Sequence, residues 1–192
     1  MENQNKHFSD DNTSDEADRL LLASFLKNDE QAFVALYHKY VDELFAYGLG
    51  LGFERENIKD AIQDTFFKFY INKQQWKGVT RPKYYLLGML RNRLIDLYRS
   101  VNKENATAVA DMPFQLETSV LDDIIEREEK HALEQRVDLL LDLLTERQKE
   151  AVYLRFIQEL EYEEIGKMLQ MTAPAVRKLV SRAVKRMRGE DF

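Results

Sequence analysis

The chain contains no cysteine and few helix-breaking residues, and both absences restrict what it can be. Without cysteine it has no disulfide, no thiolate metal site and no cysteine nucleophile. Seven glycines and three prolines occur among 192 residues. No segment alternates apolar and polar side chains convincingly, so we expect an all-α protein. A hydrophobic fraction of 44% is enough for a substantial core, in one or two domains.

Long apolar runs are absent as well. No stretch reaches the roughly 18 apolar residues that a membrane helix needs. The sequence opens with polar and acidic residues (MENQNKHFSDD) instead of a basic and then apolar segment. We therefore expect no signal peptide, no membrane insertion and a cytoplasmic location.

Patterns typical of enzymes are missing too. The histidines, His7, His38 and His131, are scattered and lack metal-ligand spacing. Adjacent acids such as Glu163 and Glu164 point apart on a helix and form no acid/base pair. No glycine-rich phosphate loop is present. The sequence predicts no enzymatic activity, no catalytic residue, no metal, no cofactor and no small-molecule substrate.

Charge divides the chain into segments. The net charge is −6, yet residues 172–188 (TAPAVRKLVSRAVKRMR) carry six cations and no acid. Acidic residues dominate the first 18 residues and residues 101–135. We predict two small helical domains joined by a flexible acidic linker. The predicted segments are a disordered acidic tail (1–17), an N-terminal helical bundle (18–101), the linker (102–120) and a helix-turn-helix domain (121–192).

The C-terminal segment has the residue pattern of a helix-turn-helix. Thr145 and Gln148 form a predicted capping box at the start of a preceding helix. Gly166 is small where a second helix must approach, Thr172 can cap that helix, and Pro174 is tolerated in its first turn. The turn position that usually holds glycine holds Gln170, which would cost on the order of 1 kcal/mol at positive φ.

The second helix of such a unit enters the DNA major groove. Arg177 and Lys178, in its first turns, are the best candidates to read base edges. Later cations are better placed to hold phosphates: Arg182, Lys185, Arg186 and Arg188. The alternative is a solvated basic face without a partner, because charge runs often have no other role.

The N-terminal domain presents a different surface. In IKDAIQDTFFKFY, a stripe at helical spacing predicts core positions: Ile58, Ile62, Phe66 and Phe69. The other faces carry Asp60, Gln63, Asp64 and Phe67, which we call the Phe67 surface. An exposed ring beside carboxylates suits protein binding. The alternative places Phe67 in the core and leaves only a solvated acidic face.

Basic and aromatic residues are interleaved just beyond, in QQWKGVTRPKYYLLGMLRNRL. Cations that follow phosphates and rings that stack on unpaired bases suit single-stranded nucleic acid. The alternative is an ordinary amphipathic helix that buries its leucines, although this leaves the preceding loop unexplained. The candidate residues are Trp76, Lys77, Arg81, Lys83, Tyr84, Tyr85, Arg91 and Arg93.

Three segments together resemble bacterial RNA polymerase sigma factors of the extracytoplasmic function (ECF) group, in the sigma-70 family. They are KDAIQDTFFKFY, PKYYLLGMLRNRLIDLYR and LTERQKEAVYLRFIQELEYEEIGKMLQMTAPAVRKLVSRAVKRMR. The resemblance runs from about residue 20 to residue 189. It implies a transcription initiation factor with no activity as an enzyme. Its implied partners are core RNA polymerase, promoter DNA and an anti-sigma factor.

The resemblance also implies roles for particular residues. The Phe67 surface matches the segment that docks on the coiled coil of the largest polymerase subunit. Asn92 matches a position that helps recognise a base flipped from the −10 element, and the loop around Trp76 resembles part of that pocket. The basic helix matches the reader of the −35 element, and its matching residues include Thr172, Ala173, Pro174 and Ser181. Here it reads APAVRKLVSRA where many relatives have a Thr-Val-Lys-Ser-Arg core, which leaves the preferred −35 sequence open.

Two other functions remain compatible with the residues alone. A dimeric helix-turn-helix regulator would bind duplex DNA tightly on its own and use the first domain for dimerisation or ligand binding. A helical adaptor would bind proteins and no DNA.

Overall fold

A computed structural model describes residues 7–101, 112–115 and 136–189, with side chains from residue 16 onward. The described residues divide into two compact units. The first comprises residues up to Gly48 together with Glu54–Leu97. The second comprises Leu49–Phe53 together with residues from Tyr98 onward. All regular structure in these ranges is helical, as the composition predicts.

The N-terminal half contains four long helices. They are α1 (His7–Leu26), α2 (Glu30–Gly50), α3 (Arg55–Ile71) and α4 (Pro82–Val101), with a short 3₁₀ helix (Lys73–Trp76) before α4. Asp29 caps the start of α2, because its Oδ1 accepts hydrogen bonds from the backbone N–H of Gln31 at 3.0 Å and of Ala32 at 3.3 Å. Helix α4 begins at Pro82, a residue that is tolerated in the first turn of a helix.

The core of the first unit combines aliphatic and aromatic side chains. Ile58, Ile62, Phe66 and Phe69 are all buried, which confirms the predicted stripe. Phe69 stacks on Phe25 of α1, with ring centroids 5.6 Å apart. The same stripe therefore joins α3 to α1.

The first helix starts earlier than its apolar periodicity predicts. It begins at His7, inside the segment predicted to be disordered. Farther along this helix, Asp18 is buried. Its carboxylate accepts hydrogen bonds from the Lys39 ammonium and the Tyr40 hydroxyl of α2. This polar contact joins α1 to α2, and it leaves no apolar pattern in the sequence.

The second unit contains a helical segment over residues 136–142 and three further helices. These are α5 (Glu146–Phe156), α6 (Tyr162–Leu169) and α7 (Ala173–Arg188). The predicted capping box is confirmed. The Thr145 N–H donates to Gln148 Oε1 at 3.1 Å, and the Gln148 N–H donates to Thr145 Oγ1 at 3.3 Å.

Most of the predicted linker (102–120) and the predicted start of the second domain near residue 121 lie outside the described residues. Residues 112–115 are described, and they are held in place. Phe114 is buried and packs on Tyr153, with ring centroids 5.4 Å apart. The Phe114 N–H donates to the Glu146 carboxylate, and the Gln115 N–H donates to the Gly50 carbonyl at 2.7 Å. This short stretch is therefore anchored, unlike the flexible linker that its composition predicts.

Across these described ranges, no helix combines the length and the apolar character needed to cross a membrane.

Candidate nucleic-acid interface and protein-docking surface

Helices α6 and α7 form the predicted helix-turn-helix. A Cβ added at Gly166 would lie 2.7 Å from the Met171 carbonyl oxygen, so only glycine fits where the turn crosses α6. Gln170, at the turn position that usually holds glycine, adopts the left-handed conformation (φ 56°, ψ 46°). The Thr172 hydroxyl accepts from the Ala175 N–H at 3.4 Å and so caps α7.

Arg147 fixes this turn from outside the motif. It lies on α5, and its Nη2 donates to the Leu169 carbonyl at 2.6 Å while its Nε lies 3.4 Å from Met171 Sδ. The last turn of α6 and the turn residues are thus tied to α5. The position of α7 therefore depends on α5 as well as on α6.

One face of α7 is buried and the opposite face is basic. Val176, Val180 and Ala183 pack into the unit. A shallow concave surface runs along the other side, lined by Pro174, Arg177, Lys178, Ser181, Arg182 and Lys185. All of these side chains are exposed, as are Thr172, Arg186 and Arg188, while Ala173 is half-buried.

The cations of this face differ in how they are held. Within the part of the chain that the structure describes, Lys178, Arg182 and Lys185 have no acidic partner. Arg186 donates from Nη1 to the Leu143 carbonyl at 3.2 Å. Arg177 instead lies against a ring, with its Cζ 5.1 Å from the centroid of Tyr162. An exposed row of cations at helical spacing can bind a phosphate backbone.

In the first unit, Trp76 is buried and does not offer a stacking face. Only 7% of its surface is exposed. The indole stacks on Phe69, with centroids 4.9 Å apart, and its Nε1–H donates to the Phe69 carbonyl at 2.7 Å. The prediction that Trp76 contacts a base is therefore corrected to a supporting role. Beside it, Tyr85 lies with its ring centroid 5.7 Å away and is itself exposed.

The cations of α4 are mostly engaged by the protein. Arg91 is buried, so its predicted contact with nucleic acid is also corrected. Lys83 pairs with Glu43 at 2.8 Å, and Arg93 Nε donates to Asp64 Oδ2 at 2.7 Å. Asn92 and Lys77 remain exposed, and Arg81 and Tyr84 are half-buried. The accessible part of this segment is therefore smaller and less basic than its sequence predicts.

Phe67 is exposed over 63% of its surface, so the alternative that buries it in the core is wrong. Asp60 and Gln63 are exposed beside it on α3, and Asp64 is half-buried in its ion pair with Arg93. A groove next to Phe67 runs between α2 and α3. Its lining includes the aromatic residues Phe33, Tyr37, Phe45, Phe66 and Tyr70. An aromatic groove bordered by carboxylates is suited to bind a protein helix that carries apolar and basic side chains.

Three residues that shape the interface are not evident from the sequence. Arg147 holds the turn, and Arg155 and Tyr162 form a stack with Arg177. Their partners lie on different helices, so no periodicity within one helix reveals them. The sequence offers one signal for this contact: Tyr162, an aromatic residue, begins its helix between the acids Glu161 and Glu163.

Two family models match the chain in order. Sigma-70 region 2 matches residues 36–104, and sigma-70 region 4 matches residues 134–187. Together they cover nearly two thirds of the chain. Region 2 includes the Phe67 surface and α4, and region 4 includes the helix-turn-helix.

Curated relatives agree with these models. The chain is 23% identical over 154 residues to the ECF RNA polymerase sigma factor SigM of Bacillus subtilis, covering 80% of this chain and 91% of SigM. It is 22% identical over 162 residues to the ECF RNA polymerase sigma factor SigX of the same organism, covering 83% of each.

Solved structures share the fold. CnrH in complex with the cytosolic domain of CnrY matches with a TM-score of 0.59 at 20% identity, covering 90% of this chain and 96% of CnrH. The sigma factor RpoE of Bartonella quintana, in complex with the anti-sigma factor NepR, matches with a TM-score of 0.58 at 20% identity, covering 82% and 95%. The ordered region 2 and region 4 matches, with two ECF relatives along most of the chain, confirm the predicted resemblance: the chain belongs to the sigma-70 family, in its extracytoplasmic function group.

Proposed function

We propose that this sigma factor binds core RNA polymerase through the Phe67 surface and reads the −35 element with the exposed face of α7. The observation that carries the proposal is the pairing of two exposed surfaces with the two matched regions. The aromatic and acidic Phe67 surface lies within region 2, and the acid-free face of α7 lies within region 4. One surface suits a protein and the other suits duplex DNA.

The −35 contacts follow from position along α7. Arg177 and Lys178 lie in its first turns and would reach base edges, whereas Arg182, Lys185, Arg186 and Arg188 would hold phosphates. Thr172, Ala173 and Pro174 would approach the backbone at the start of the helix. Ser181, exposed on the same concave surface, would add a hydroxyl donor.

For the −10 element, Tyr85 and Asn92 are the accessible residues to which we assign base contacts. Tyr85 is exposed over 38% of its surface, and Asn92 lies exposed on the same helix. An extruded base loses stacking, which costs a few kcal/mol and is recovered by a protein ring and by hydrogen bonds to the base edge. Lys77 would hold a nearby phosphate, and Trp76 and Arg91 would support the site from inside the unit.

An anti-sigma factor is the proposed regulatory partner. Of the two similar solved structures, one holds CnrH bound to the cytosolic domain of CnrY, and the other holds the sigma factor RpoE bound to the anti-sigma factor NepR. A protein that covers the Phe67 surface or the face of α7 would block polymerase or DNA. We assign the chain to the cytoplasm, where polymerase and promoters are, and we propose that it performs no catalysis itself.

Transcription in vitro tests this function directly. Purified core polymerase is given a library of genomic fragments with and without the protein, and the transcript starts are sequenced. We expect new starts that share two short elements upstream, only when the protein is present. The protein alone is expected to bind the same fragments weakly. Tight, sequence-specific footprints from the isolated protein, without new starts in the presence of polymerase, would instead support the dimeric regulator.

A further inference from the structure

Three helices bring their side chains together at Tyr162. Tyr162 is the first residue of α6. The Cζ atom of Arg155 on α5 lies 5.0 Å from the ring centroid, and the Cζ atom of Arg177 on α7 lies 5.1 Å from it. Both distances are within the range of a cation–π contact. One ring therefore contacts two cations from two neighbouring helices.

Arg155 is fixed by the protein. Its Nη1 donates to the Leu160 carbonyl at 2.9 Å and lies 3.6 Å from Glu161 Oε1. The Glu161 carboxylate offsets the repulsion between the two guanidinium groups that share the ring. Tyr162 is half-buried. One of its two cation contacts, Arg155, is therefore itself anchored by the protein.

Arg177 is different, because its hydrogen-bond donors are not used. Within the described residues it forms no hydrogen bond or ion pair, and its side chain is exposed. A flat guanidinium that lies on a ring keeps its N–H groups at its edge, where they can meet a base. Stacking also restricts a long side chain that would otherwise sample many rotamers, so less freedom is lost when it binds.

We propose that Tyr162 is a positioning residue for Arg177, and that it sets the strength of sequence preference at the one −35 base pair that Arg177 reads. This inference rests on the proposed function, because it requires α7 to read the −35 element. Lys178 is a useful contrast. It is also exposed, at the next position of α7, but has no ring contact among the described residues.

The test uses holoenzyme assembled from core polymerase and the full chain, with a promoter library randomised across the −35 element. Arg177→Ala first identifies the base pair whose preference relaxes. Tyr162→Leu removes the ring but keeps an apolar side chain, and we expect a loss of about two- to fivefold in preference at that same base pair. Tyr162→Phe keeps the ring and should retain the preference. The double variant Tyr162→Leu/Arg177→Ala should be no worse than Arg177→Ala alone.

Arg182→Ala is the matched control. It removes an exposed cation from the same face without a ring contact, so it should weaken all sequences about equally. Circular dichroism and thermal unfolding check that each variant is folded, and Tyr162→Phe keeps the test valid if Tyr162→Leu is unstable.

Several outcomes would overturn the inference. Tyr162→Leu could weaken all sequences equally, which would make its role structural. Tyr162→Phe could be as damaging as Tyr162→Leu, which would assign the effect to the hydroxyl. If the wild-type holoenzyme selects a −35 sequence but Arg177→Ala leaves every preference intact, the positioning role fails while the proposed function stands. If the wild-type holoenzyme starts no transcripts, both fail.

Discussion

Helices α4 and α7 carry most of the candidate DNA contacts, yet they hold their cations in different ways. On α7 the cations stand on one exposed face opposite the buried Val176 and Val180. On α4 most of the cations are engaged by the protein: Arg91 is buried, Lys83 pairs with Glu43, and Arg93 pairs with Asp64. The same residue types therefore serve a surface in one unit and internal pairing in the other.

This difference indicates a division of labour. Free cations supply affinity that falls with salt, because they replace condensed counterions on DNA. Paired and buried cations supply little of that term, since their charge is already compensated. The first unit would therefore contribute mainly through rings and amides such as Tyr85 and Asn92, and the second through charge. The ion pair between Asp64 and Arg93 further links the Phe67 surface to α4.

The largest expected effect separates buried rings from exposed rings in the first unit. Trp76→Ala removes a stacked indole and its hydrogen bond to Phe69, and we expect the free energy of unfolding to fall by roughly 3–5 kcal/mol. Tyr85→Ala, at an exposed ring, should change it by less than about 1 kcal/mol. Urea unfolding followed by circular dichroism measures both.

Promoter opening, in contrast to stability, should depend directly on the exposed ring of Tyr85. Tyr85→Ala should impair promoter opening in a stable protein, as measured by permanganate footprinting of holoenzyme. If Trp76→Ala leaves the free energy of unfolding unchanged but abolishes opening, Trp76 is an interface residue after all and the contrast between the rings fails.

The next prediction tests whether the Phe67 surface docks on core polymerase. The double variant Asp64→Asn/Phe67→Ala removes an exposed ring and a carboxylate, and affinity for core polymerase should fall by roughly 2–4 kcal/mol. Competition with a labelled sigma factor for core polymerase gives the affinity, and circular dichroism checks helicity.

Leu20→Ala is the matched control, because Leu20 is an equally exposed apolar residue, at 62%, on α1. It should bind core polymerase like the wild type. Each single variant separates the ring from the carboxylate. Undiminished binding by the folded double variant would show that the Phe67 surface does not dock on polymerase.

The sequence predicts the second unit better than the first for a physical reason. The predicted caps at Thr145 and Thr172 depend on residues within a few positions, and both are confirmed. The burial of Trp76 and Arg91 depends on how separate helices pack together. On the two candidate surfaces, helical periodicity predicts the exposure of Phe67 and of the α7 cations. It does not predict the contact of Arg177 with Tyr162, because those residues lie on different helices.

A smaller effect concerns the turn that positions α7. Gln170 has φ 56° and ψ 46°, a conformation that glycine adopts without strain. Gln170→Gly should raise the free energy of unfolding by about 0.5–1 kcal/mol. Gln170→Ala is the control, because it removes the side chain but keeps the strain. Thermal unfolding of the full chain measures both, and equal behaviour of the two variants would assign the effect to the glutamine side chain instead.

The smallest effect tests the exposed cations of α7 by their response to salt. Arg186→Ala should weaken binding of holoenzyme to all −35 sequences about equally. The slope of log affinity against log salt should also fall by about one unit, because one phosphate contact is lost. Arg186 also donates to the Leu143 carbonyl, and Arg186→Lys separates the two roles, since it keeps the charge but not the guanidinium geometry. The lysine variant should keep the slope. If the slope survives in Arg186→Ala, the guanidinium serves only the Leu143 carbonyl, and α7 holds at least one of its cations internally, as α4 does.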